Sequence, residues 1–336
     1  MILVTGSTGL VGSHLLYLLL KEGYAVRALV RNLRSIEKAR KVFSYYTSDP
    51  EKFIQQADWF VGDVNDPESL VRSLEGIKQV YHCAAVVSFN NRDLDSMWQV
   101  NVNGTANLVN ACLEMKVGKF LHVSSIATLG HTNDGKPLTE NCPWPAGKIS
   151  PYSRTKMLAE QEVQRAMAEG LTAVILNPSV ILGPGDWENG SGRLFWKVYR
   201  GMNFFTRGIT GFVDVRDVTK VMVALMNSTQ PNERYIVSAQ NKSYEEVLRE
   251  IALRLGLKPP RYFAKPWMTE MAWLVGSIIS VFFGRPATLS RWTARTAHRK
   301  QNYSSEKLIR ALDFQFTPFE ETIRHTVACF RRDYPA

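Results

Sequence analysis

At 336 residues and 45% hydrophobic composition, the chain can bury a large core and suits one nucleotide-binding domain plus a smaller substrate domain. Its 41 Lys and Arg against 31 Asp and Glu give a net charge of +10, but the basic residues are spread out, with local enrichment at 27–41 and 291–300, and no nucleic-acid motif accompanies them, so nucleic acid is excluded as the expected partner. Cys83, Cys112, Cys142 and Cys329 have neither metal-ligand spacing nor a disulfide pattern, which excludes a metal centre built on them and points to a reducing cytoplasm.

Residues 2–5 read as a short buried strand, and Met1 runs directly into it, so no cleaved leader is predicted. Gly6-Ser7-Thr8-Gly9-Leu10-Val11-Gly12 follows as a tight turn, and residues 13–21 as an amphipathic helix. Strand, glycine turn and helix in that order make a dinucleotide site, because backbone N–H groups at the helix N-terminus can approach a pyrophosphate. The spacing Gly-x-x-Gly-x-x-Gly differs from the commoner Gly-x-Gly-x-x-Gly.

Further strands are predicted at 25–30, 58–61, 79–82, 120–124 and 173–176, with helices near 36–43, 67–74, 95–115 and 151–169. That alternation predicts a doubly wound parallel sheet with ligands at the carboxyl ends of its strands. After Pro178 the alternation breaks into aromatic-rich segments separated by loops. We therefore expect a cofactor domain over 1–178, with 205–240 returning to it, and a smaller, mostly helical substrate domain over 179–336.

Tyr152 and Lys156 stand four residues apart at the head of a predicted helix, which puts both on one face. A free phenol, with a pKa of about 10, is a poor proton donor or acceptor near neutrality, and a nearby ammonium lowers that value. The spacing alone also fits an ordinary solvated helix face. The glycine turn supplies the context that favours catalysis.

More motifs follow in order: Gly62-Asp63-Val64, His82-Cys83-Ala84-Ala85, Asn101-Val102-Asn103-Gly104-Thr105, Val123-Ser124-Ser125, Asn177-Pro178, Gly183-Pro184-Gly185-Asp186 and a segment from Phe212 to Asp217. With this ordered set the chain resembles the extended short-chain dehydrogenases/reductases of the NAD-dependent epimerase/dehydratase superfamily, along nearly its whole length. The resemblance implies a Rossmann fold. It also implies that Ser125 hydrogen-bonds the substrate oxygen, Tyr152 gives or takes its proton, and Lys156 lowers the phenol pKa and binds the nicotinamide ribose. Ser124 competes for the serine role, but registering the segment on Gly130 selects Ser125.

The same resemblance assigns the cofactor set. Gly6, Gly9, Leu10, Val11 and Gly12 line the turn, and the hydroxyls of Ser7 and Thr8 are candidate phosphate contacts. Asp63 and Val64 lie beside adenine, with a structural cap as the other reading of Asp63. Ala84, Ala85 and Val86 run beside the pyrophosphate and ribose. Asn101 either extends the polar network or holds backbone groups, and Pro178 and Val180 complete the set. At the end of the second strand, Arg31 takes the place where Asp or Glu favours NAD, and an arginine there accommodates a 2′-phosphate. NADP is therefore the expected cofactor, with NAD the alternative. Arg34 is either a helper or a solvated residue.

Substrate class follows from differences. The sugar dehydratases carry an Asp-Glu pair where this chain has Ile126 and Ala127, and a sugar epimerase usually fits NAD, so Arg31 counts against it. The Gly183 to Asp186 turn and Arg31 look more like the dihydroflavonol 4-reductase and 3-beta-hydroxysteroid dehydrogenase relatives, which act on hydrophobic ketones and alcohols. Trp187, Phe195, Trp196, Tyr199, Phe204, Phe205, Phe212, Trp267 and Trp273 suit such a substrate, although most are expected in the core, and His131 is a further pocket candidate. For an epimerase, Arg193, Arg207 and Arg216 are conceivable ligands of a nucleotide diphosphate; a non-catalytic NADP-binding module is the third reading.

Thirteen apolar or small residues from Met271 to Phe283, bounded by Glu270 and Arg285, fall short of the roughly 20 that cross a bilayer. A helix over the substrate pocket is expected, with weak membrane-surface contact as the alternative. Family habit further implies a homodimer through helices at 95–115 and 151–169, whose apolar positions include Leu108, Val109, Met157 and Leu158.

Overall fold

The first strand, β1 (Ile2–Thr5), is buried at every position, as a central parallel strand covered on both faces must be. After it come α1 (Leu10–Lys21), β2 (Val26–Val30), α2 (Ile36–Ser44), α3 (Pro50–Gln56), β3 (Asp58–Val61), α4 (Pro67–Ser73) and β4 (Gln79–His82). The chain continues through α5 (Leu94–Met97), a π-helical stretch over Trp98–Asn103, α6 (Gly104–Glu114), β5 (Lys119–Val123), α7 (Pro151–Ala168) and β6 (Ala173–Pro178). The computed structural model describes residues 1–130, 135–145, 147–229, 232–283 and 290–335, with the backbone alone for residues 91 and 277–283. His131 and Arg285 lie outside the described residues.

The second half comprises β7 (Val180–Leu182), α8 (Arg193–Tyr199), β8 (Phe204–Phe205), β9 (Ile209–Asp214), α9 (Val215–Asn227), β10 (Glu233–Val237), β11 (Gln240–Ser243) and α10 (Tyr244–Arg254). It ends with β12 (Tyr262–Phe263), α11 (Pro266–Phe283), α12 (Arg291–Thr296), α13 (Glu306–Leu312) and α14 (Phe319–Asp333). Among the described residues, seven strands form one parallel sheet in the order β10-β6-β5-β4-β1-β2-β3, the doubly wound architecture predicted. The order reverses between β1 and β4, where Thr5 pairs with His82. A crevice at that reversal is where such sheets bind ligands.

Helices cover both faces. Leu15, Leu16 and Leu19 of α1 pack with Val221, Met222 and Leu225 of α9 on one, and Leu108, Val109 and Cys112 of α6 join Val163 and Ala166 of α7 on the other. Helix α7 begins at Ser150, whose hydroxyl accepts from the Ser153 N–H, and Pro151 occupies the first turn, where no backbone donor is needed. That boundary sets the register of Tyr152 and Lys156.

Sheets β11-β9-β7 and β12-β8 help build a third core, in which Trp187, Phe195, Phe205 and Phe212 are buried. Trp196 and Tyr199 pack on Tyr334, while Phe204 and Trp267 face solvent. The aromatic residues of this half are thus mainly its own core. The predicted helix over 271–283 forms within α11; its described side chains join none of the three cores, and it packs chiefly on α12. Among the described residues, no helix is long and apolar enough to cross a membrane.

Candidate active site

Gly6 has φ +64°, and a Cβ there would stand 2.6 Å from the Ala84 backbone nitrogen, so the loops after β1 and β4 touch through a glycine. At Gly12 a Cβ would lie 2.1 Å from the Gly6 carbonyl oxygen, which only glycine allows. Gly9 precedes α1 without a side-chain cap, and the first turn holds no acidic residue. Its N–H groups lack intrahelical acceptors and carry the positive end of the helix dipole. Leu10 and Val11 open that helix, and Thr8 is half-buried beside it. This cradle fits a dinucleotide pyrophosphate.

One cofactor contact needs correction. Ser7 is fully buried and its hydroxyl donates to the Leu29 carbonyl at 3.0 Å, so it ties the turn to β2 and has no hydroxyl to offer a phosphate. Arg31, directly after β2, is exposed and has no ion-pair partner among the described residues, and neither has Arg34 in the following turn. Arg27, three residues before the end of β2, is committed to Asp58 at 2.7 Å. Asp63 accepts from the Asn65 N–H at 2.9 Å through one oxygen in a local turn, while Asp66 caps α4, and buried Val64 packs near Gly104.

Ala84, Ala85 and Val86 form a half-buried strip beyond β4. Asn101 fastens it: its Oδ1 accepts from the Val86 N–H at 2.7 Å, and its Nδ2 donates to the Val86 carbonyl at 3.0 Å and to Thr155 Oγ1 at 3.1 Å. Both amide donors are spent on protein. Asn101 therefore clamps the strip to the Tyr152 helix from within the π-helical stretch, the backbone-holding role of the two expected. At the carboxyl end of β6 Pro178 is buried, and Val180 is half-buried in β7.

Helix α7 stacks Tyr152, Lys156 and Glu160 on one buried face, at 9%, 1% and 0% exposure. The Tyr152 phenol hydrogen-bonds the Ser125 side chain, which also accepts from the Ala127 N–H at 3.1 Å. Ser124, the competitor, is nearly buried and donates to Glu160 at 2.6 Å. Geometry thus brings Ser125, not Ser124, to Tyr152.

Lys156 has partners of its own below Tyr152. Its Nζ donates to the Val123 carbonyl at 2.8 Å and lies 3.5 Å from His122 Nε2. Burial pushes its pKa down to about 8, against the opposing pull of Glu160 and Cys83. Burial likewise raises the Tyr152 phenol, and only the Ser125 hydrogen bond opposes it. One ammonium N–H is given to a carbonyl, and burial, not charge, dominates the phenol and holds its pKa above the ordinary value.

Three features escaped the sequence reading. Glu160 accepts from Ser124, Thr128 at 3.0 Å and Asn177 at 2.9 Å on one oxygen, and pairs with Arg234 at 3.1 Å on the other. A buried charge so fully bonded anchors the Ser125 loop to α7 and β6, and removing one partner would strand it. His82 links Thr5 at 2.7 Å to Thr105 at 2.9 Å, and burial pushes its pKa down to about 3, so it serves as a neutral strut. Phe89, 40% exposed, meets the Tyr152 ring edge-on at 5.5 Å and forms a wall beside the phenol. Two of them left a trace in sequence: Glu160 continues the four-residue spacing of Tyr152 and Lys156, and His82 opens the motif that runs to Ala85, although its strut role could not be read there.

Residues 2–238 match the NAD dependent epimerase/dehydratase family, and the chain belongs to that family. A Synechocystis sp. protein provisionally named dihydroflavonol 4-reductase is 27% identical over 336 residues, covering 98% of this chain and 94% of its own. Sterol demethylase protein B of Methylococcus capsulatus is 30% identical over 273 residues, 80% of this chain and 78% of that one. The crystal structure of gox2253 superposes with a TM-score of 0.81 at 30% identity, covering 99% and 98% of the two chains. The protein is thus an NAD(P)-dependent oxidoreductase of the extended short-chain dehydrogenase/reductase type.

Proposed function

We propose that this enzyme is an NADP-dependent reductase or dehydrogenase of hydrophobic ketones and secondary alcohols. The observation that carries this reading is the buried Tyr152 bonded to Ser125 beside the β1–β4 crevice, with Lys156 one turn below. Bound along Gly6 to Gly12 and the Ala84 to Val86 strip, the nicotinamide cofactor supplies or takes the hydride. Ser125 orients the substrate oxygen, and Tyr152 donates the proton when a carbonyl is reduced. Lys156 has three N–H donors, and those not given to Val123 and His122 suit a ribose hydroxyl. The apolar Phe89 flank favours a hydrophobic substrate.

Of the three arginines conceivable as ligands of a nucleotide diphosphate, Arg193, Arg207 and Arg216, two are engaged with carboxylates. Arg216 bonds Asp214 through Nε at 3.0 Å and Nη2 at 2.6 Å, and Arg207 pairs with Glu245 at 3.2 Å. Testing carbonyl compounds and nucleotide sugars with NADPH, and reading both absorbance and products, checks the reading. Ketone turnover supports it; sugar epimerisation without NADPH loss contradicts it.

The rate of ketone reduction should also depend on pH in a set direction. Reduction uses protonated Tyr152 and charged Lys156. Because burial holds Lys156 near 8, kcat/KM should be level below that pH and fall above it as the ammonium loses its proton. A profile that climbs through pH 8 contradicts the assignment.

A homodimer through α6 and α7 belongs to the same reading. Leu108 and Val109 are spent on the sheet core, which leaves exposed Leu94 and Trp98 with half-buried Met157 and Leu158 for a partner. Sedimentation velocity at micromolar concentration should show a dimer; a clean monomer contradicts it.

A further inference from the structure

We propose that α11 docks the protein on an anionic lipid bilayer, lying in the plane of its surface. Trp267, Met271, Leu274 and Val275 are 65%, 51%, 44% and 48% exposed. At helical spacing they fall within an arc of about 100°. The opposite side of the helix is the one in use: Thr269 bonds His298 at 3.0 Å and the Ala294 carbonyl at 3.4 Å, and the Trp273 ring lies 5.3 Å from the Arg291 guanidinium. An uncovered stripe of four large apolar side chains on a helix whose described side chains join no core is unusual in a water-surrounded protein. Tyr262 and Phe204, 58% and 47% exposed and in ring contact at 5.6 Å, add apolar surface on the strand pair just before the helix.

Charge selects the occupant. Residues 256–300 contain eight Lys and Arg and a single acid, Glu270, so this short stretch carries seven of the chain's net +10. Lys258, Arg261, Lys265, Arg291, Arg295 and Lys300, which flank α11 in sequence, are exposed, and Glu270 is engaged with Arg295 at 3.3 Å. A second copy docking by twofold symmetry would bring two such basic regions together, and they repel. Anionic headgroups attract the same charges while the acyl region takes the apolar stripe. The inference does not depend on which substrate the active site takes.

The full chain should be centrifuged with vesicles of phosphatidylcholine alone and of phosphatidylcholine mixed with phosphatidylglycerol. The proposal expects binding to the mixed vesicles at least about tenfold stronger than to the neutral ones, weakened when salt is raised to about 0.5 M. The double variant Met271→Glu, Leu274→Glu should bind at least about tenfold more weakly while keeping its circular dichroism and NADPH affinity. Absence of binding, equal binding to both lipids, or full binding by the double variant overturns it. Sedimentation of the same proteins without lipid closes the remaining route: a dimer that the double variant breaks would make a second copy the occupant, and the proposal would fail.

Discussion

Replacing Tyr152 by phenylalanine should lower the turnover of ketone reduction by about 10³-fold while leaving NADPH affinity within about twofold, since the change removes the proton donor and little else. The ring keeps its contact with Phe89, and Ser125 keeps the Ala127 N–H. The deleted hydroxyl is buried and hydrogen-bonds Ser125. Stability should therefore fall by no more than about 1 kcal/mol, the worth of one ordinary hydrogen bond. Turnover by stopped flow, affinity by fluorescence titration and the thermal midpoint separate these effects. If the variant retains most of its activity, Tyr152 is not the acid.

The second large effect is a change of cofactor. Arg31 stands exposed at the carboxyl end of β2 with no carboxylate partner among the described residues, so its guanidinium is available to a 2′-phosphate. Charge-assisted hydrogen bonds of that kind are worth about 2 kcal/mol, or roughly thirtyfold in affinity. Arg31→Asp should remove that gain and repel the phosphate, so that NADH binds more tightly than NADPH. Equal affinity of the unaltered protein for the two cofactors would count against the role of Arg31.

Local rules made much of this legible. The Ile2–Thr5 strand, the glycine turn and α1 could be read because each step has a residue type that physics requires, and Gly6 and Gly12 sit where a Cβ has no room. Ser125 could be chosen over Ser124 by registering on Gly130, and the structure gives the reason: Ser124 is consumed by Glu160. What stayed hidden depends on contacts distant in sequence. Ser7 turns inward because Leu29, 22 residues away, offers a carbonyl. Phe89 reaches Tyr152 from the loop after β4, and Glu160 meets Arg234 across 74 residues. Spacing placed Lys156 on the Tyr152 face, but it could not show that burial outweighs charge in setting the phenol. Nor could the apolar run at Met271 show that its described side chains stay outside the three cores, since helices that join a core and helices that do not share such composition.

The central claim is net hydride transfer to a ketone with Tyr152 as the acid, and deuterium tracing tests it most directly. The protein is incubated with NADPH deuterated at the transferable position and a hydrophobic ketone, and the product is examined by mass spectrometry. The account predicts one deuterium on the new carbinol carbon for each NADP formed, and none with Tyr152→Phe. Deuterium absent from the alcohol, or label transfer undiminished in Tyr152→Phe, would contradict it.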